Sequence, residues 1–257
     1  MQITRKMLVE WNACQSGLDW FDNNFSEDGQ EYQEILNKLA EQNEAGYAEW
    51  LIRKAGVQDI VLEIDELVSE NCFFFAGEIK VTGNIQIKFR LVAGKGIEAG
   101  CGIEAGDGIK AGWGIEAGWG IKAGYGIEAG DGIKAGYGIE ACYGIKAGWG
   151  IKAGCGIKAG WGIKAGYGIE ACYGIKAGYG IEAGDDIKAG YGIEAGDGIK
   201  AGWGIEAGDG IKAGDKYGIF AGLSIRVNEW SIYANVCANS KPSNLISGNF
   251  VLNDNDK

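Results

Sequence analysis

The chain of 257 residues has no histidine and a single proline, Pro242. Without histidine, the Ser-His-Asp and Cys-His nucleophile systems are excluded, as are histidine-bearing zinc sites. Scarce proline rules out collagen, which needs glycine at every third position and abundant proline. Yet 47 glycines are present, well over twice the average usage of about 7%. Disorder is excluded by the 46% apolar content, since disordered chains lack the apolar surface to offset ordering entropy. No run of about 18 apolar residues exists, so no transmembrane helix is expected. The opening M-Q-I-T-R-K-M-L-V-E-W lacks the apolar stretch of a secretory signal. Only Thr4 and Thr82 are threonine, which leaves no threonine array of the kind ice binding would use. The seven cysteines form no C-x-x-C pair. An odd count without zinc spacing implies reduced thiols and a cytoplasmic location.

The net charge of −11 is uneven: residues 1–90 carry 8 Lys/Arg against 16 Asp/Glu, residues 91–216 carry 13 against 16. A direct nucleic-acid binder would show a basic stripe, and none is evident along the chain. The acidity suits solubility or a basic protein partner.

Self-similarity dominates what is present. From Ile97 to Ile211 isoleucine falls at every sixth position, giving 20 hexads of the form I-[EK]-A-[GC]-x-G, the last glycine being replaced by Asp186 and Lys216 in two of them. Within a hexad Ile and Ala alternate with the charge, as in a short strand with an apolar and a polar face. The G-x-G that follows reads as a corner, where glycine tolerates positive φ. A three-residue strand is stable only when stacked on equivalents above and below, so the fold expected is mainly β, a parallel β-solenoid. Coils of 18 residues put opposite charges in line at 13 of 17 steps, as in Glu104, Lys122 and Glu140, whereas coils of 12 do so at 3 of 18. Like charges directly opposite are destabilising, so a three-sided coil is expected. Duplication of a 12-residue unit would produce the same alternation without selection for stacking.

The register continues backward through Leu91, Ile85, Ile79 and Phe73, and forward, after a two-residue insertion, to Ile219 and Ile225 before Ile232 breaks it. Degenerate flanks read as caps. Residues 1–58 form the expected helical domain, 59–90 the transition strands, 91–216 the solenoid and 217–257 a short C-terminal β cap. In the first part, Ser16 with Asp19 marks a helix start. Tyr32, Ile35, Leu36 and Leu39 make an apolar stripe, and Gly56 after Arg53 and Lys54 marks a helix end. Three short helices are expected, packed onto the strands that follow.

Read from alanine, the unit A-G-x-G-I-[EK] resembles the hexapeptide repeat of left-handed parallel β-helices, [LIV]-G-x-[GN]-[STAV]-x, with the large and small interior positions exchanged. The resemblance covers about half the chain. Family members of that type include acyltransferases with a histidine base, and trimers; the missing histidine keeps that activity from carrying over. Ala13, Cys14, Gly17, Trp20 and Phe21 form an A-C-x-x-G-x-x-W-F segment similar to the opening of uncharacterised bacterial, phage or mobile-element proteins, some with comparable G-I-K-A-G repeats.

The corner position x is tyrosine in seven hexads, tryptophan in five, aspartate in six and cysteine in two. A residue between two corner glycines should point outward. Tyr125, Tyr143, Trp161 and Tyr179 then form one ladder, and Trp119, Tyr137, Tyr173 and Tyr191 another, interrupted by Cys155. Exposed aromatics on this scale imply a recognition surface or a homo-oligomer contact, a dimer or a trimer, as against stacked rings that only rigidify corners. Glu41, Glu44 and Glu49 mark a candidate acidic face on the helical head. The corner aspartates (Asp107, Asp131, Asp185, Asp197, Asp209 and Asp215) read as turn-forming carboxylates, because calcium-binding solenoids use a nine-residue unit. Cys142 and Cys172, which replace a corner glycine, read as small buried fillers. No cofactor or metal is implied. The expected function is a non-enzymatic protein-binding rod, with an anti-CRISPR-like inhibitor of a bacterial defence complex as the specific case implied by the N-terminal resemblance. Carbohydrate binding and a carboxylate-based enzyme are the alternatives.

Overall fold

The computed structural model describes residues 1–224 and 230–253. From Leu67 to Ile211 the chain winds as a three-sided parallel β-solenoid with 18 residues per coil. Ile103 sits beside Ile121, Glu104 beside Lys122 and Ala105 beside Ala123. Three parallel sheets of 11, 9 and 10 strands result. We call them face 1 (carrying Ile97 and Ile115), face 2 (Ile103 and Ile121) and face 3 (Ile109 and Ile127). In each triplet such as Ile157–Ala159 the isoleucine and alanine are buried and the lysine or glutamate is exposed, so stacked isoleucines fill the interior.

The corners hold together differently from the expectation. None of the corner glycines from Gly100 to Gly214 adopts the left-handed φ that the sequence suggested; the positive-φ glycines described are Gly29, Gly56, Gly222 and Gly248. Close approach explains the first glycine of each corner instead. A Cβ on Gly154 would lie 1.9 Å from the carbonyl oxygen of Gly136 in the preceding coil. Coils meet this tightly because the corner amides also bond from coil to coil, as in Tyr143 N–H to Tyr125 O at 3.1 Å. Cys142 and Cys172 occupy that glycine position and are exposed, not buried. A side chain there points away from the isoleucine interior. Both amides reach their carbonyl partners at 3.3 Å, against 3.0 Å for Gly154 and Gly160.

Four helices, not three, form the N-terminal part: α1 (Arg5–Glu10), α2 (Gln15–Asn24), α3 (Tyr32–Glu41) and α4 (Ala45–Ala55). Ser16 lies inside α2, whose N-cap is Cys14; the short α1 starts at Thr4, whose hydroxyl accepts from Met7 N–H. Gly56 ends α4 with φ +82, as its position implied. The helices pack on face 3, and the reason is local. In its first two strands the outward position holds Phe74 and Val92 in place of a charge, and both are buried in the helical core. That side of the sheet edge is sealed by polar side chains. Gln33 donates to Phe74 O at 2.8 Å and accepts from Ala76 N–H at 3.1 Å, and Asn43 accepts from Cys72 N–H at 3.0 Å.

At the other end, Gly214–Tyr217 absorbs the two-residue insertion and Ile219 regains the stack beside Ile199. Asn235–Ala238 extends face 1 and Leu245–Ser247 extends face 3. The Asn244 side-chain amide, which donates to Tyr217 O at 2.8 Å, ties this end together. Ile225 lies outside the described residues. Ile232, off the repeat, is exposed in a short helix.

Candidate recognition surface

The corner position presents its side chain to solvent throughout. All twelve corner aromatics are exposed, from Tyr143 at 41% to Trp119 at 64%. Both ladders expected from the 18-residue frame are present, each backbone step fixed by an amide hydrogen bond. The ladder between faces 2 and 3 is continuous. Tyr125 and Tyr143 stack with centroids 4.8 Å apart and planes 6° off parallel; Trp161 follows at 5.2 Å and Tyr179 at 5.5 Å. On the second ladder Tyr173 and Tyr191 stack at 5.2 Å and 2°, beyond the gap at Cys155. Trp119 and Tyr137 continue it below that gap.

A third ladder went unread in the sequence. Trp113, Trp149, Tyr167 and Trp203 share the remaining corner with Asp131 and Asp185. The same period of 18 that gave the other two would have found it. Trp149 and Tyr167 lie 6.0 Å apart, and the ammonium of Lys95 sits 5.1 Å from the Trp113 ring. Lys95 also pairs with Asp59 at 2.6 Å, which holds that carboxyl below its usual range.

Between the corners, each face carries a column of charges that pair one coil apart. Lys122–Glu104 and Lys158–Glu140 (both 3.2 Å) lie on face 2, Lys164–Glu182 (2.8 Å) on face 3 and Lys152–Glu170 (3.0 Å) on face 1. The hydrogen bond that Lys134 donates to Glu116 holds its ammonium above its usual range. Where the repeat loses its corner glycine, at Asp186, the carboxylate accepts from Gly204 N–H at 2.7 Å. Among the described residues no three acidic or thiol side chains converge as a metal site, and the seven cysteines are free.

The three head glutamates have different surroundings. Glu49 lies at the junction of head and rod, 3.0 Å from Lys110 and 3.2 Å from Arg90. Glu41 pairs with Lys38 on α3, and Glu44 is the N-cap residue of α4. A different feature of the head was not expected. Ala13, Cys14, Gly17, Trp20 and Phe21 line one side of an apolar cavity of about 400 Å³, closed by Tyr47 and Trp50 from α4. The segment singled out in the sequence is thus one wall of a groove. Hydrogen bonds from Ser16 and Gly17 lower the pKa of the exposed Cys14 thiol at its edge.

Residues 1–56 match the family described as the YdhT N-terminal domain. The matched segment coincides with the four-helix head and stops at the helix-ending Gly56. No curated protein and no solved structure matches the chain. No helix among the described residues is long and apolar enough to cross a membrane.

Proposed function

We propose that the chain is a non-enzymatic recognition rod whose corner ladders bind a protein partner. The supporting observation is the continuous stack Tyr125–Tyr143–Trp161–Tyr179, exposed along its length and held on hydrogen-bonded corners. A monomer has little physical reason to keep such a surface wet. Tyrosine and tryptophan are the side chains that most often anchor protein interfaces.

The ring geometry favours a protein over a sugar chain. A carbohydrate platform needs ring faces open to solvent, whereas Tyr125 and Tyr143 cover each other's faces and Trp161 lies 5.2 Å from Tyr143 and 5.5 Å from Tyr179 at tilts of 37° and 43°. Each ring is thus partly covered by its neighbours, and about half of it stays exposed. A second copy of the chain is a competing occupant. The inhibitor of a bacterial defence complex, acting in the cytoplasm, is the specific case we propose from the N-terminal resemblance.

Capture from bacterial lysate tests the reading. The intact protein should retain a discrete partner, and Tyr143→Ala with Trp161→Ala should lose it with the melting temperature unchanged. Aromatic hot spots typically cost at least about 2 kcal/mol, about a 30-fold loss. Capture undiminished by the double substitution would count against it.

A further inference from the structure

The corner stack runs through a stretch of the rod where the charge reverses sign. Residues 133–180 contain six lysines, two glutamates and no aspartate, a net +4 in a chain of net −11. All of the corner aspartates lie outside this stretch. On the ladder between faces 2 and 3, Asp107 precedes Tyr125 and Asp197 follows Tyr179. The alternation of glutamate and lysine also fails here. Lys134 lies beside Lys152 on face 1, Lys146 beside Lys164 on face 3, and Lys158 beside Lys176 on face 2. Each face thus has one lysine–lysine step, and together they form a cationic belt around the rod.

The belt relieves its own repulsion in a way that leaves the lysines available. At every one of the three steps the two ammonium groups turn apart, each to a glutamate one coil further out. Lys146 reaches Glu128 at 3.5 Å and Lys164 reaches Glu182 at 2.8 Å; Lys158 reaches Glu140 at 3.2 Å and Lys176 reaches Glu194 at 3.0 Å. These are exposed pairs, weak and screened by salt, so a carboxylate from outside competes for the same ammonium groups on nearly equal terms. Two of the three steps, Lys146/Lys164 and Lys158/Lys176, flank the corner that carries Tyr143 and Trp161.

We propose that the corner of Tyr143 and Trp161, with Lys146 and Lys164 on one side and Lys158 and Lys176 on the other, docks an acidic segment of the partner protein. The inference rests on the reading of the chain as a protein-binding rod and adds the chemistry of what is bound. Charge complementarity selects this occupant. A two-fold contact with a second copy, centred on the same corner, would set lysines against lysines. A single-stranded nucleic acid would need open ring faces for its bases, and the strongly acidic remainder of the chain repels an extended polyanion.

The probe is a soluble glutamate-rich peptide with interspersed leucines, titrated into the full chain at low salt and followed by tryptophan fluorescence. Lys146→Gln with Lys164→Gln should weaken binding about tenfold or more, with the circular dichroism unchanged. Lys188→Gln with Lys200→Gln, in the acidic part of the rod, should leave it unaltered. Equal loss in both pairs, or none in either, overturns the proposal. So does tighter binding of an oligodeoxythymidylate or of heparin, or a dimer in sedimentation that the belt substitutions abolish. The lysate partner separates this inference from the reading beneath it. If Tyr143→Ala with Trp161→Ala loses that partner while Lys146→Gln with Lys164→Gln keeps it at full affinity, the recognition rod stands and the acidic segment falls. If neither pair loses it, both fall.

Discussion

The carboxylate of Glu49 on α4 reaches across to Lys110 on face 3, with Oε2 3.0 Å from the ammonium and Oε1 3.2 Å from Arg90. It is the charged end of a contact whose apolar part is Phe74 and Val92 under the helices. Glu49→Ala should therefore loosen the head on the rod without unfolding either. The expected cost is about 1 kcal/mol, the upper range for a partly exposed pair. Faster amide exchange at Phe74 and Ala76, with exchange in residues 133–180 unchanged, would show it. Unchanged exchange at both amides would assign Glu49 to an open surface instead.

The corner geometry makes two glycines respond in opposite directions. A Cβ on Gly154 meets the Gly136 carbonyl at 1.9 Å, whereas one on Gly210 meets nothing within 4 Å. Gly154→Ala should destabilise the rod by about 1 kcal/mol, the low end of overpacking, because the coils at Cys142 and Cys172 take up a Cβ at this position with amide bonds of 3.3 Å. Gly210→Ala should be neutral, or stabilising by about 0.4–1 kcal/mol through the unfolded chain. Denaturant midpoints of the two variants check this. Equal midpoints would mean that the coils yield to a Cβ at either corner position and that close approach does not hold the glycines in place.

How far the sequence went follows from where each residue meets its neighbours. Ile157, Lys158 and Ala159 each repeat one environment every six residues, so period, inward face and coil size were all legible. The head's seat was not, because Phe74 and Val92 interrupt a column of outward charges and look like ordinary strand residues in a degenerate flank. Gln33 and Asn43 are polar helix-surface residues by pattern, and only the fold brings them to a strand edge. Cys142 was misread for the same reason as the corner glycines. A small residue in a glycine column suggests a tight interior, whereas the tightness here is between backbones. The charge reversal in residues 133–180 is countable from the sequence, but it acquires meaning only once Lys146 and Lys164 are known to be stacked.

Tyr32 gives the head a pH dependence. Its ring is fully buried under the head and its hydroxyl donates to Gly56 O at 3.2 Å. Burial raises its pKa well above the ordinary 10.0. A group with a raised folded pKa holds its proton more tightly when folded, so its contribution is intact below about pH 10 and is lost as pH rises further. The helical signal should melt more readily above pH 10 in the wild type. Tyr32→Phe should lower stability at neutral pH by about 0.5–1.5 kcal/mol for the lost hydrogen bond and flatten that alkaline slope. Parallel alkaline melts of the two proteins would contradict this.

The most direct test of the exposed ladders is a paired measurement on Tyr143→Ala with Trp161→Ala: the affinity for the captured partner and the melting temperature of the rod. Corner side chains contribute little to the isoleucine interior, so the melting temperature should stay within the small range of surface substitutions. Affinity should fall about 30-fold or more. A rod that melts much lower while its folded fraction binds as tightly as before would contradict the account, because the rings would then serve the fold and not recognition.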